Sequence, residues 1–129
     1  MVDIQIIIGA RGSRLSLSQT RIFSDHLKTH HKSLSDDQLE IVAIKTTGDI
    51  EQSIRLDQLG GKGLFAKEIE LQIIEDKIDL GLHSMKDMPA SLNSNFEIGC
   101  WLPREDPRDA LILSLIHISE PTRRRGISY

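Results

Sequence analysis

The stretch that decides the fold is Ile4-Gln5-Ile6-Ile7-Ile8-Gly9-Ala10-Arg11-Gly12-Ser13. Its first half, 4–8, is an apolar, β-branched run that Gly9 ends. A run of this kind predicts a strand buried on both faces, as in a parallel sheet. Its second half is a polar turn bounded by glycines. The segment after it, 15–30, carries Leu15, Ile22, Phe23, His26 and Leu27, with helical spacing from Ile22 onward. Strand, short turn and helix together make the opening unit of an α/β fold.

The pattern continues outward from there. Residues 39–45, Leu-Glu-Ile-Val-Ala-Ile-Lys, predict a second strand. Residues 49–61 have no clear period and end in Gly60-Gly61, which predicts a mobile loop. Residues 64–75 place Leu64, Phe65, Glu68, Ile69, Gln72 and Ile73 at helical spacing with one apolar face. A third short strand is predicted at 79–83 and a fourth at 96–102. The order β-α-β-loop-α-β-loop-β gives an α/β class, with a mainly parallel sheet and flanking helices. There is no internal repeat.

Composition narrows the function classes. The chain has 129 residues, 39% apolar and 27% charged, with a formal charge of -3. That is a globular composition, one domain of ordinary size or part of a larger one. Nucleic-acid-binding domains carry a strong positive excess, and none is present. No apolar run approaches the roughly 18 residues of a membrane span, and Met1-Val2-Asp3-Ile4 shows no basic-then-apolar leader. The single Cys100 excludes an intrachain disulfide framework and a multi-cysteine metal cage. The expectation is a cytoplasmic protein with no membrane, nucleic-acid or metal partner.

The end of the chain changes character. Leu113-Ser114-Leu115-Ile116-His117-Ile118-Ser119-Glu120-Pro121-Thr122-Arg123 is, codon for codon, the translation of a common transposase sequencing adapter. Ile127-Ser128-Tyr129 continues that adapter after three index codons. The division expected is therefore 1–112 as the domain and 113–129 as a non-native, adapter-derived tail, outside the fold reasoning. The cluster Arg123-Arg124-Arg125 is accordingly not read as a binding patch.

Three polar clusters follow three predicted strands. In Gly9-Ala10-Arg11-Gly12-Ser13, glycines permit a close turn, Ser13 suits a helix N-cap, and Arg11 offers a planar fork to a carboxylate. Arg14 stands where a G-x-G-x-x-G fingerprint would end in glycine. Lys45-Thr46-Thr47-Gly48-Asp49 suits a ligand edge or an ordinary turn. In Leu82-His83-Ser84-Met85-Lys86-Asp87-Met88-Pro89, Lys86 beside Asp87 would hold the carboxylate ionised in a partly buried cleft; on an open surface the same pair is worth little. His83 reads as a half-buried strand histidine. Leu64 after Gly60-Gly61-Lys62-Gly63 breaks the frame of a nucleoside triphosphate loop. In open α/β sheets ligands bind beyond the carboxyl ends of the strands. All three clusters fall at that edge, which predicts a cleft for a small anion with a carboxylate able to act on a cationic centre.

These residues resemble a known family. Gly9-Ala10-Arg11-Gly12-Ser13, Thr47-Gly48-Asp49, Gly60-Gly61-Lys62-Gly63-Leu64-Phe65, His83-Ser84-Met85-Lys86-Asp87 and Pro103-Arg104-Glu105-Asp106-Pro107-Arg108-Asp109-Ala110 are similar, in order and spacing, to the porphobilinogen deaminases, also called hydroxymethylbilane synthases. The resemblance runs from about residue 4 to 111. It implies a transferase that joins four porphobilinogen units head to tail with release of ammonia, giving hydroxymethylbilane for haem and related pigments. It implies an incomplete first domain of a type II periplasmic-binding-protein-like fold, in a protein that is monomeric at full length. It implies a dipyrromethane cofactor, thioether-linked to a cysteine of a third domain rather than to Cys100, which is expected to be a small core residue.

By the same resemblance Asp87 would be the catalytic carboxylate, stabilising cationic azafulvene and pyrrole intermediates. Arg11, Ser13, Ser84 and Lys86 would meet substrate or cofactor carboxylates. Thr47 and Asp49 would bind there too and begin a covering loop, with Lys62 at its far hinge. Because the second-domain arginines and third domain of the family lie beyond the sequence, the chain reads as an amino-terminal fragment, inactive alone. The alternative is a non-catalytic lobe of a small-anion binding protein, which the fold class equally permits.

Overall fold

The computed structural model describes residues 4–50 and 63–108. The chain runs through strand β1 (Ile6–Arg11), helix α1 (Arg14–His30), a 3₁₀ turn (Asp36–Gln38), strand β2 (Leu39–Ile44), a helical turn α2 (Thr47–Ile50), helix α3 (Lys67–Ile74), strand β3 (Leu80–Gly81) and a second 3₁₀ turn (Met85–Asp87). The sheet order is β2-β1-β3, and both pairings are parallel. Ile6 faces Leu39 and Arg11 faces Ile44 on one side of β1; Ile8 faces Leu80 on the other. The apolar run thus becomes the central strand, with Ile8 and Ala10 fully buried.

Strand parity sorts the two faces. One face carries Ile7, Val42 and Ile44, which pack with Ile69 and Ile73 of α3 and with Ile78. Gly9 lies on this face, and its missing side chain admits Ile78: a Cβ there would come within 2.3 Å of Ile78 Cδ1. The opposite face packs against α1 through Thr20 and Ser24, both buried. Each hydroxyl donates to the carbonyl one turn back, Thr20 to Ser16 at 2.7 Å and Ser24 to Thr20 at 3.0 Å, so neither is left unsatisfied. The helix starts where Ser13 Oγ accepts the N–H of Ser16, a cap that contributes about 1 kcal/mol. Asp79 sets the other edge: Ile7 N–H donates to its carboxylate at 2.7 Å, and its own N–H donates to Ile7 O at 2.9 Å.

The helix expected over 15–30 is present; within it Leu15, Ile22 and His26 are exposed, and Thr20 and Ser24 are the buried positions. Other expectations are corrected. Helix α3 begins at Lys67, since 63–66 form a turn opened by Gly63 in the left-handed region, φ 80°. Asp49 and Ile50 are helical rather than loop; the rest of the predicted loop lies outside the described residues. Residues 96–102 form no strand, and Ile98, Cys100 and Trp101 are exposed. An apolar pattern makes a strand only where another backbone takes up its hydrogen bonds, and no described segment does. Cys100 is therefore not a core residue. No described helix is long and apolar enough to cross a membrane.

Candidate functional site

The site grows from the carboxyl ends of β1 and β3. β1 sits between its two neighbours, so the connections leave to opposite sides of it, which is where an open parallel sheet forms a ligand crevice. β1 ends on Arg11, and the N-cap Ser13 follows immediately. β3 runs out into Leu82 and His83 and then into the turn that carries Lys86 and Asp87. Arg11, Ser13, Ser16, His83, Ser84, Lys86 and Asp87, with Leu15 and Leu82, line one cleft. Its volume is about 40 Å³, against roughly 300–1,000 Å³ for a complete small-molecule pocket. Among the described residues the cleft is therefore a shallow surface rather than an enclosed pocket.

Arg11 is the centre of this surface. Its Nε donates to Asp49 Oδ1 and Oδ2 at 3.2 and 3.3 Å, and its Nη2 donates to Oδ1 at 2.5 Å. Its Nη1 is 4.0 Å from Asp87 Oδ2. The guanidinium carbon lies 3.9 Å from the centroid of the Phe65 ring, within range of a cation–π attraction. Gly48 lets that ring lie flush: a Cβ at 48 would come within 2.3 Å of Phe65 Cε1. Hydrogen bonding to Arg11 holds the Asp49 carboxyl below the usual carboxylate range, against the opposing effect of burial and with help from Thr46. The same bonds raise Arg11.

The predicted site residues divide into three groups. Arg11, Ser13, Ser84, Lys86 and Asp87 are brought together as expected. The cation paired with Asp87 among the described residues is Arg11, however, not its sequence neighbour Lys86. Asp49 is bonded to Arg11, while Thr47 is bonded to Glu68: its N–H donates to Glu68 Oε1 at 2.8 Å, and its hydroxyl is bonded to the same oxygen; neither Asp49 nor Thr47 is among the residues that line the cleft. Lys62 lies outside the described residues. Sequence reading missed Phe65, Ser16 and Gln19, the last with its Oε1 3.5 Å from Ser84 Oγ. One signal was available: positions one to two turns past an N-cap inside a motif lie over the same site. Among the described residues no group of His, Cys, Asp and Glu could hold a metal ion.

His83 lies beside Asp87 in this cleft. Burial lowers its pKa, and the Asp87 charge opposes that shift. The unfolded chain, with His near 6.5, therefore takes up a proton before the folded chain does. Stability is full above that value and falls as pH drops through the lowered folded value. His83→Gln is expected to flatten the decline in urea midpoint between pH 7.5 and about 5.5; equal declines in parent and variant would count against it.

Fold and site together define an α/β protein that presents an arginine-and-carboxylate cleft at the carboxyl edge of a parallel sheet. The family model described as "Porphobilinogen deaminase, dipyromethane cofactor binding domain" matches residues 6–126. The chain belongs to the porphobilinogen deaminase family. It is 47% identical over 110 residues to the porphobilinogen deaminase of Clostridioides difficile (strain 630), covering 85% of this chain and 36% of that protein. It is 49% identical over 105 residues to that of Syntrophus aciditrophicus (strain SB), covering 81% and 33%. The chloroplastic porphobilinogen deaminase of Oryza sativa subsp. japonica is 48% identical over 108 residues, covering 83% and 30%. The chain spans about a third of the length of these curated relatives.

Proposed function

We propose that this cleft is one wall of the active site of a hydroxymethylbilane synthase, a transferase that condenses four porphobilinogen molecules head to tail with loss of ammonia. The observation that carries the reading is the 4.0 Å approach of Asp87 Oδ2 to Arg11 Nη1 at the strand ends. It places a carboxylate beside a cation that binds carboxylates, and the substrate bears both an amine and carboxylic acids.

The residues present suit the dipyrromethane. The outer edge of Arg11 and the Lys86 ammonium match its carboxylate side chains, and Asp87 can accept pyrrole N–H bonds. When bound, the group supplies the pyrrole carbon on which the chain is extended. Ser13 and Ser84 add hydroxyl donors to the same surface. As the aminomethyl C–N bond breaks and ammonia leaves, positive charge grows on the pyrrole, and the Asp87 carboxylate would stabilise it. The same carboxylate would accept the proton given up as the new C–C bond forms. In this reading, as the family resemblance implies, the attachment cysteine belongs to a third domain and is not Cys100.

In the same reading the sheet is the first lobe of a type II periplasmic-binding-protein-like fold, the protein acts as a monomer in the cytoplasm, and 113–129 is a non-native tail. Sequencing the coding DNA past codon 112 tests the last point, since codons other than the adapter's remove it. The activity is tested by incubating the intact protein with porphobilinogen and following uroporphyrin fluorescence after acid oxidation. Formation of ammonia and uroporphyrin is the expected result. Tight porphobilinogen binding with no ammonia released would favour the anion-binding lobe instead.

A further inference from the structure

We infer that Asp49 is a positioning residue for Arg11: it grips the guanidinium by its Nε–Nη2 edge and leaves the Nη1 edge presented to the cleft beside Asp87. Three observations converge. Both Asp49 oxygens are already engaged, Oδ1 by Arg11 Nε and Nη2, Oδ2 by Arg11 Nε and by the Thr46 hydroxyl at 2.7 Å. Thr46, fully buried, also donates its backbone N–H to Oδ2 at 3.3 Å, so the carboxylate is tied to the core rather than to a flexible surface. The Phe65 ring covers one face of the guanidinium. An arginine otherwise samples many rotamers, but a planar fork held at one edge and one face keeps a single orientation. The edge left over is the one 4.0 Å from Asp87. Asp49 is thereby saturated within the protein and acts on a ligand only through Arg11.

The consequence for ligand binding rests on the proposed function; the orientation of Arg11 does not. The test follows the Arg11 Nε–Hε signal by NMR in the 129-residue chain, assigned by its loss in Arg11→Lys. In the parent this proton is expected to exchange slowly with water. Asp49→Asn should accelerate the exchange at least tenfold, and Asp49→Glu should restore most of the protection. Titration with porphobilinogen should show affinity about tenfold weaker in Asp49→Asn, the equivalent of 1.4 kcal/mol. Unchanged Hε exchange in a folded Asp49→Asn overturns the inference. Should that variant unfold, Thr46→Val decides: it keeps the charge but removes the 2.7 Å hydroxyl bond, leaving only the 3.3 Å backbone N–H contact from residue 46 on Oδ2, and unaltered exchange there overturns the inference equally. If Hε responds while porphobilinogen binds neither parent nor variant, the positioning stands and the ligand reading falls.

Discussion

Asp87→Asn is expected to reduce porphobilinogen turnover about 10²–10⁴-fold while leaving the circular dichroism spectrum unchanged. The two halves of that result have separate causes. The carboxylate supplies charge and a proton acceptor, and an amide of the same shape supplies neither. The fold does not lean on that charge. The backbone of Asp87 is fixed by its N–H donating to Ser84 O at 3.0 Å, which the substitution keeps. Arg11 does not depend on it either, since Asp49 still holds the guanidinium at 2.5 Å. The loss should therefore appear in kcat of the intact protein more than in KM. A kcat within threefold of the parent would place the reacting group elsewhere and favour a receptor, for which the charge at 87 is one contact among several.

The parts of this site that the sequence made legible are those that depend on short range. Ser13 as a cap and Arg11 at a strand end follow from one motif, and Asp87 follows from its place just after another strand. The meeting of Arg11 and Asp87 was legible because parallel strands deliver their carboxyl ends to one edge. The partner of Asp87 was not. Adjacent residues of a 3₁₀ turn point about 120° apart, so Lys86 next to Asp87 in sequence does not pair with it in space. The Arg11–Asp49 clamp spans 38 residues, and only the register that sets Arg11 against Ile44 brings the following turn within reach. Thr20 and Ser24 carry no apolar signal that would mark them as buried, although a hydroxyl bonded to its own helix is readily buried. At 96–102 the reverse holds: the side-chain pattern of a strand is present, but the backbone partner that a strand needs is not.

Removing Arg11 should have the second large effect, on stability as well as on binding. Arg11→Met retains an apolar body over Phe65 but leaves Asp49 and Asp87, formerly 2.5 and 4.0 Å from one guanidinium, without their cation. A buried acceptor left unsatisfied costs about 1–3 kcal/mol, and more when it is charged. About a quarter of the Arg11 and Asp49 side chains meets solvent, so screening puts the loss toward the low end. The pH dependence identifies the cause. In the parent, Asp49 titrates below its unfolded value of about 3.9 because Arg11 favours its charged form. That contribution is complete above the unfolded value and disappears as pH falls through the lowered folded one. The urea midpoints of parent and Arg11→Met should thus differ most near pH 7 and converge below pH 4 or so. A gap that persists undiminished into acid would mean that Arg11 stabilises the fold by packing on Phe65 alone. The carboxylates would then be bystanders, and the cleft would lose the electrostatic logic that links β1 to the turn at 85–87.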